Sequence, residues 1–449
     1  MIGEEVKKDS NRVVTFGCRL NAYESEQIKN AIKDIDDKDL VVFNSCAVTN
    51  KAESDLRNSI RKTKKLNPAA KIVVTGCAAQ ANAAKYAKML EVDLVLGNQE
   101  KSDAKSYEFK NGGKLLTGKK EEDLNHQDKL FFKSKEEINN SLSDFEFSKI
   151  KVNDIMSVRE TAPQLVSYFE DQTRAFLEIQ NGCNHRCTFC IIPFGRGNSR
   201  SVSFGEIVEK IKQLVTNGHK EVVLTGVDIT SYGEDIDMKI SLSQMIRRLL
   251  KLIPELPRLR LSSVDVAELL EDEDFFDLLR NEPRFMPYLH LSVQSGDDLI
   301  LKRMKRRHNR QQVIDFCNKC LEIRPEITFG CDIIAGFPTE SEEAFQNSLN
   351  LIKEAKLIFC HIFPYSPKEG TPAAKMKSLN GNIVKERAKL LRDAGEAELQ
   401  KYLKKQVGKK LKVLVEKNGV GKTENFLDVK VASNLVVGEI VDAEFESLK

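Results

Sequence analysis

Short runs of β-branched residues alternate with longer amphipathic stretches over most of the chain. VVTF (13–16), LVVFN (40–44), KIVVTG (71–76) and DLVLG (93–97) read as buried strands. Between them, NAYESEQIKNAIKD, NKAESDLRNSIRKTKKL and AAQANAAKYAKML carry apolar residues at helical spacing. Strands and helices in strict alternation predict a parallel sheet covered by helices.

The rhythm fails around 110–165, where mixed charges, Asn, Ser and Gly show no sustained period, and a linker is expected there. A second alternation follows. AFLEIQ (175–180), EVVLTGV (221–227), RLRLSS (258–263), YLHLSVQ (288–294), ITFGCDIIAGF (327–337) and FCHIFPYS (359–366) are its strands, with helical segments between them. Thr339 and Glu342 read as a capping box opening one of those helices. Six β/α units predict a partial (β/α)6 barrel whose strand C-termini share one rim. A helix over 383–405 then leads to short alternating strands with Gly and Asn turns, a small all-β module of barrel type. The expected organisation is an α/β protein: an N-terminal parallel-sheet α/β domain (1–115), a linker (116–168), a barrel core (169–402) and a β module (403–449).

Composition narrows the setting. No apolar run reaches the roughly 18 residues of a membrane span, and the N-terminal stretch lacks a signal-type apolar segment. A cytoplasmic protein is the expectation, and ten cysteines there are ligands, redox groups or core fillers before disulfides. Net charge is only +3, from 70 basic and 67 acidic residues, so any nucleic-acid surface depends on local clusters.

The cysteines form two groups. Cys183, Cys187 and Cys190 follow the first barrel strand in CNHRCTFC. Three thiolates at a barrel rim can hold three irons of a [4Fe-4S] cluster and leave the fourth open to a ligand. A zinc site completed by His185 or a distant residue is the alternative, and a chance core cluster is a third reading. Cys18, Cys46 and Cys77 each stand just past a predicted parallel strand, the edge where open α/β sheets bind ligands. Ordinary core packing is the competing reading for these three.

CNHRCTFC, with Phe189 before its last cysteine, resembles the radical S-adenosylmethionine (SAM) superfamily. With TFGCRLNAYESE, FNSCAVTN, VTGCAAQ, LTGVDITSYGED, RLRLSSVD, LHLSVQSGDD, IIAGFPTE and FPYSPKEGTPAA, the chain resembles the methylthiotransferase family. That resemblance implies two [4Fe-4S] clusters. One, on Cys183, Cys187 and Cys190, cleaves SAM to a 5′-deoxyadenosyl radical; the other, on Cys18, Cys46 and Cys77, handles the sulfur. It implies methylthiolation of an adenine C2 in tRNA, a C–H bond with no acidic proton for a general base. It also implies a tail similar to the RNA-binding TRAM module. NAYESEQI and GVDITSYGED resemble most the branch acting on N6-threonylcarbamoyladenosine beside the anticodon. The branches acting on N6-isopentenyladenosine or on a ribosomal-protein aspartate remain alternatives. So does a metal-stabilised RNA-binding protein without catalysis. An electron donor is required; no membrane and no stable protein partner are expected.

Rim positions supply further candidates. Phe189, Gly226, Asp228, Ser262, Gln294 and Gly336 are candidate SAM contacts, though turn and packing roles would explain the glycines and serines equally. Arg196 and Arg200 in GRGNSRS are candidate SAM carboxylate or RNA phosphate contacts, with structural ion pairs as the competing reading, and Arg306 and Arg307 in KRMKRRHNR are candidate RNA phosphate contacts, with a solvated charged face as theirs. Cys317 and Cys320 lie at a helical spacing that suits core packing, and Phe426 is either a stacking platform or a core residue of the tail.

Overall fold

A computed structural model describes residues 11–35, 39–109, 143–159, 173–237 and 239–446. The N-terminal sheet is parallel, with strands β1 (Arg12–Thr15), β2 (Leu40–Ser45), β3 (Lys71–Gly76), β4 (Leu94–Leu96) and β5 (Ile150–Lys151) in sequential order. The burial of all six residues of β2 fits a strand covered on both faces. β5 corrects the expected boundary: Ile150–Lys151 pairs with β4 and belongs to this sheet rather than to a linker. The rest of the expected linker lies outside the described residues, apart from 143–149 and 152–159.

The barrel begins with β6 (Ala175–Asn181), flanked on its outer edge by the antiparallel β7 (Arg200–Ser201), and continues in parallel through β8 (Glu221–Gly226) and β9 (Arg258–Leu261). After Ser262 the chain resumes as β10 (Ser263–Val264), which pairs instead with β11 (Tyr288–Gln294). β12 (Thr328–Ala335) and β13 (Leu357–Pro364) complete the parallel series. The break at Ser262 therefore divides the parallel strands of the barrel between two sheets, one ending in β9 and the other beginning with β10. Apolar residues of these strands pack outward against the helices, as Leu289, Leu291 and Val293 do in β11. Their polar neighbours Tyr288, His290, Ser292 and Gln294 point the other way, into the lumen.

The helix Glu342–Glu354 is capped by Ser341, whose hydroxyl accepts from Ala344 N at 3.1 Å. Thr339 is not the cap: it adopts a left-handed conformation (φ 72°) that places it outside the helix start. The helix Gly381–Lys404 leads to an antiparallel sheet of β14 (Lys410–Val415), β15 (Val420–Thr423), β16 (Asp428–Lys430) and β17 (Ile440–Glu444), in the order β16-β15-β14-β17. Arginines of β9 fasten it to the barrel floor: Arg258 donates to the carbonyls of Lys412 (3.0 Å) and Lys422 (3.2 Å), and Arg260 to that of Glu424 (2.9 Å). Phe426 is neither a surface platform nor a core residue of the tail. It stacks on Tyr288 with ring centroids 4.2 Å apart and plugs the floor. Among the described residues no helix is long and apolar enough to cross a membrane.

Candidate functional site

The ends of three neighbouring strands set the first cysteine group. Cys18 follows β1 and precedes the helix Arg19–Ile32, Cys46 follows β2, and Cys77 opens the short helix Cys77–Ala81 directly after β3. Close approach needs Gly17, whose φ is +100° and where an added Cβ would lie 2.8 Å from Cys46 Sγ. The thiols act on one another electrostatically, and burial, followed by Cys77, pushes Cys46 up to about 12.

Arg196 enters this pocket from the barrel. It ends the helix Ile192–Arg196, just past the second cysteine group, and is 2% exposed. Its Nε donates to Cys77 Sγ at 3.0 Å, its Nη2 to Asn21 Oδ1 at 2.6 Å and Glu24 Oε2 at 2.8 Å, and its Nη1 to Glu24 Oε1. Glu24 also meets buried Lys101 at 2.7 Å. Gly195 allows the approach, since a Cβ there would sit 3.2 Å from Cys77 Cβ. Arg196 is thus not an RNA contact, because it is buried and its guanidinium donates to Cys77, Asn21 and Glu24 inside the protein. Arg200 is corrected likewise: it is buried, and its Nη1 donates to the carbonyls of Arg196 (3.1 Å) and Asn198 (2.8 Å).

The second group lies in the loop after β6. Backbone N–H groups of His185 and Ile192 point at Cys183 Sγ and Cys190 Sγ, both at 3.4 Å. Cys190 N donates to the carbonyl of Cys187 at 3.1 Å, which folds the loop back on itself. Burial, with Cys187 next, pushes Cys190 up to about 12, and Cys77 also acts on it. Gln180 braces the rim. Its amide nitrogen donates to the carbonyl of Gly182 (2.7 Å) and Ser199 Oγ (2.9 Å), and its oxygen accepts from Val227 N (3.1 Å) and Asp228 N (2.8 Å).

Charged residues line the mouth. Asp228 accepts from Ser231 (2.9 Å), lies 2.9 Å from His185 Nε2 as an ion pair and 3.6 Å from Cys183 Sγ. The carboxylates of Asp228 and then Glu268 raise His185 to about 10. Arg306 donates to Asp265 (2.8 Å) and the carbonyl of Ser292 (2.8 Å), with Nη1 3.7 Å from Cys187 Sγ. Arg307 pairs with Glu268. Arg306 is therefore corrected from phosphate contact to a buried neighbour of the cysteine loop, and Arg307 is engaged by an acid at the same mouth.

The donor geometry tests what the cysteines could hold. One tetrahedral ion with sulfur ligands at 2.3 Å would need its sulfurs about 3.8 Å apart. Neither trio gathers its three sulfurs within 4.8 Å, whereas Cys183, His185 and Asp228 do bring one ligand atom each within that distance. A spread of this kind fits ligands on separate irons of a cluster, and hydrogen bonds to the sulfurs suit the same group. The other rim candidates are dispersed around it. Ser262 Oγ is buried with no hydrogen-bond partner, Gln294 ends β11 at φ 70°, Gly226 lies against the backbone of Gln180, and Gly336 against Val384. Phe189 packs with Ile300, Met304, Phe337 and Tyr365.

Two features escaped the sequence reading. Gln180 is one, and the other is a lumen group in which His290 Nε2 (3.0 Å) and His361 Nδ1 (3.5 Å) meet Asp332 Oδ1, with Tyr288 Oη 3.1 Å from His290 Nδ1. Alternation of polar and apolar residues in AFLEIQN and YLHLSVQ was the available signal.

Profiles of known families match in the same two places. Residues 177–352 match the Radical SAM superfamily, and 11–97 match Uncharacterized protein family UPF0004. Threonylcarbamoyladenosine tRNA methylthiotransferase MtaB of Rickettsia prowazekii (strain Madrid E) is 49% identical over 97% of this chain and 95% of its own length. The chain belongs to the radical SAM tRNA methylthiotransferase family. The enzyme of the same name from Aquifex aeolicus is 36% identical over 95% of this chain and 98% of its own. tRNA-2-methylthio-N(6)-dimethylallyladenosine synthase of Rickettsia rickettsii (strain Sheila Smith) is 30% identical over 96% of each. As a member of this radical SAM methylthiotransferase family, the chain is an enzyme using a [4Fe-4S] cluster and SAM.

Proposed function

We propose that the chain inserts a methylthio group at C2 of N6-threonylcarbamoyladenosine next to the anticodon of tRNA, working in the cytoplasm with two [4Fe-4S] clusters. The observation that carries this is the full-length similarity, 49% to a relative named for that nucleoside against 30% to one named for the dimethylallyl nucleoside.

In this reading Cys183, Cys187 and Cys190 hold the cluster that binds SAM, and Cys18, Cys46 and Cys77 hold the second. When bound there, reduced cluster and SAM supply the one-electron chemistry that opens an unactivated C–H bond. The chain's own residues position and enclose. Gln180 ties the cysteine loop to the β8 rim. Phe189, Gly226, Asp228, Ser262, Gln294 and Gly336 wall the SAM pocket, with the unpartnered Ser262 hydroxyl supplying a polar contact. Arg306 and Arg196 set positive charge beside Cys187 and Cys77. The tail serves as a TRAM-like RNA grip with the basic run 401–412, in a division of N-terminal, barrel and tail modules. An external one-electron donor completes the requirements.

The test is anaerobic reconstitution, turnover on tRNA carrying either modified adenosine, and weighing of the digested nucleosides. The methylthio mass gain is expected on the threonylcarbamoyl nucleoside. Product on the isopentenyl nucleoside alone overturns the proposal.

A further inference from the structure

Arg19 is a charge without a partner. It directly follows Cys18 and opens the helix Arg19–Ile32, whose first turn contains no acid. A cation there faces the positive end of its own helix, an arrangement that costs stability. Nearby arginines are neutralised: Arg174 by Glu416 (2.8 Å), Arg260 by Glu221 (2.8 Å) and Arg196 by Glu24. Arg19 makes no ion pair or hydrogen bond among the described residues, and its guanidinium lies 5.7 Å from the centroid of Phe426. Burial lowers its pKa; Tyr288 and Asp332 offset part of this. Asp332 is already committed to His290 (3.0 Å) and His361 (3.5 Å), which hold it at about 2 against the effect of burial.

We propose that Arg19 binds the carboxylate of the threonyl group on the substrate adenosine, in a polar lumen subsite walled by Tyr288, His290, Asp332 and His361. The proposal rests on the function proposed above and adds the recognition of its substituent. A guanidinium presents five donors in a fork that fits a carboxylate. Its place in the chain, one residue past a proposed ligand of the second cluster, sets the anion-binding group beside the sulfur-handling site. An isopentenyl chain would instead leave these donors desolvated and unpaired. The donor atoms of His290, Asp332 and His361 lie within 4.8 Å of one another and could hold a cation. Of the arginines gathered around Phe426, Arg19 alone lacks an acidic partner among the described residues, and its charge favours an anion.

The experiment compares reconstituted wild type with Arg19→Gln on tRNA bearing the natural acid or its neutral carboxamide. Wild type is expected to prefer the acid by on the order of 10- to 100-fold in kcat/KM. Arg19→Gln is expected to lower that preference to within about threefold, while iron content and tRNA-independent 5′-deoxyadenosine formation persist. Arg19→Lys keeps the charge but not the fork, so an intermediate preference is expected. It also provides the readout if the Gln variant loads poorly. An unchanged acid preference in either variant overturns this proposal alone. No product from the acid with wild type overturns the parent reading and this subsite together.

Discussion

The two cysteine groups reach similar chemistry by opposite routes. The barrel group is assembled by one loop, which supplies the thiols and folds onto itself through Cys190 N and the carbonyl of Cys187. The N-terminal group is assembled by three strand ends and completed by an arginine from the other domain. A contiguous site depends on local geometry, whereas a dispersed one depends on the register of a sheet and the docking of a neighbour. The N-terminal group should therefore be the one that global perturbations reach first.

The sharpest way to break this comparison is to remove one thiol from each group. Cys187→Ala should abolish 5′-deoxyadenosine formation, and Cys46→Ala should leave that activity while losing the methylthio product. Each variant should retain roughly half the iron, read by iron analysis and nucleoside mass. Equal loss of SAM cleavage in both variants would show that the groups are not separable.

Arg196→Met tests the dependence across domains. It takes one of two cations from Glu24, leaving Lys101 at 2.7 Å, and removes the donor to Asn21 and Cys77, at an expected cost of about 1–3 kcal/mol in denaturant unfolding. Spectroscopy of the iron should change for the N-terminal group more than for the barrel group. Arg196→Lys should not restore it, because one ammonium cannot span Cys77, Asn21 and Glu24.

Glu178 offers the smallest and most specific probe, since it lies on β6 where both groups adjoin. Burial, and next Glu24, raises its carboxyl to about 7. Its folded pKa lies above its usual 4.5, so ionisation opposes folding. The penalty is absent below pH 4.5, grows to about pH 7 and is constant above. Glu178→Gln should be more stable than wild type at pH 8, on the order of 1–3 kcal/mol, and indistinguishable near pH 4.5. Thermal melts across that range check it.

Much of this arrangement was legible in the chain. β-branched runs marked the principal parallel strands of both sheets, and Cys18, Cys46 and Cys77 could be aligned because each follows such a run. Arg196 was misread because linear pattern does not reveal whether a charge is buried, and its partner Glu24 is 172 residues away. Arg306 was misread for the same reason: a basic run looks solvated until Asp265 is folded against it. Ile150–Lys151 is too short a strand to show a period, and only its neighbour β4 gives it meaning. The fate of Phe426 depended on the barrel floor, which no property of the tail sequence announces.

The ion pair between Arg196 and Glu24 acts as a bolt between two rooms. Swinging the N-terminal domain away from the barrel would part Arg196 from Glu24 and pull Cys77 from its donor. With the bolt shut, the proposed reaction would move the nucleoside and SAM between fixed walls.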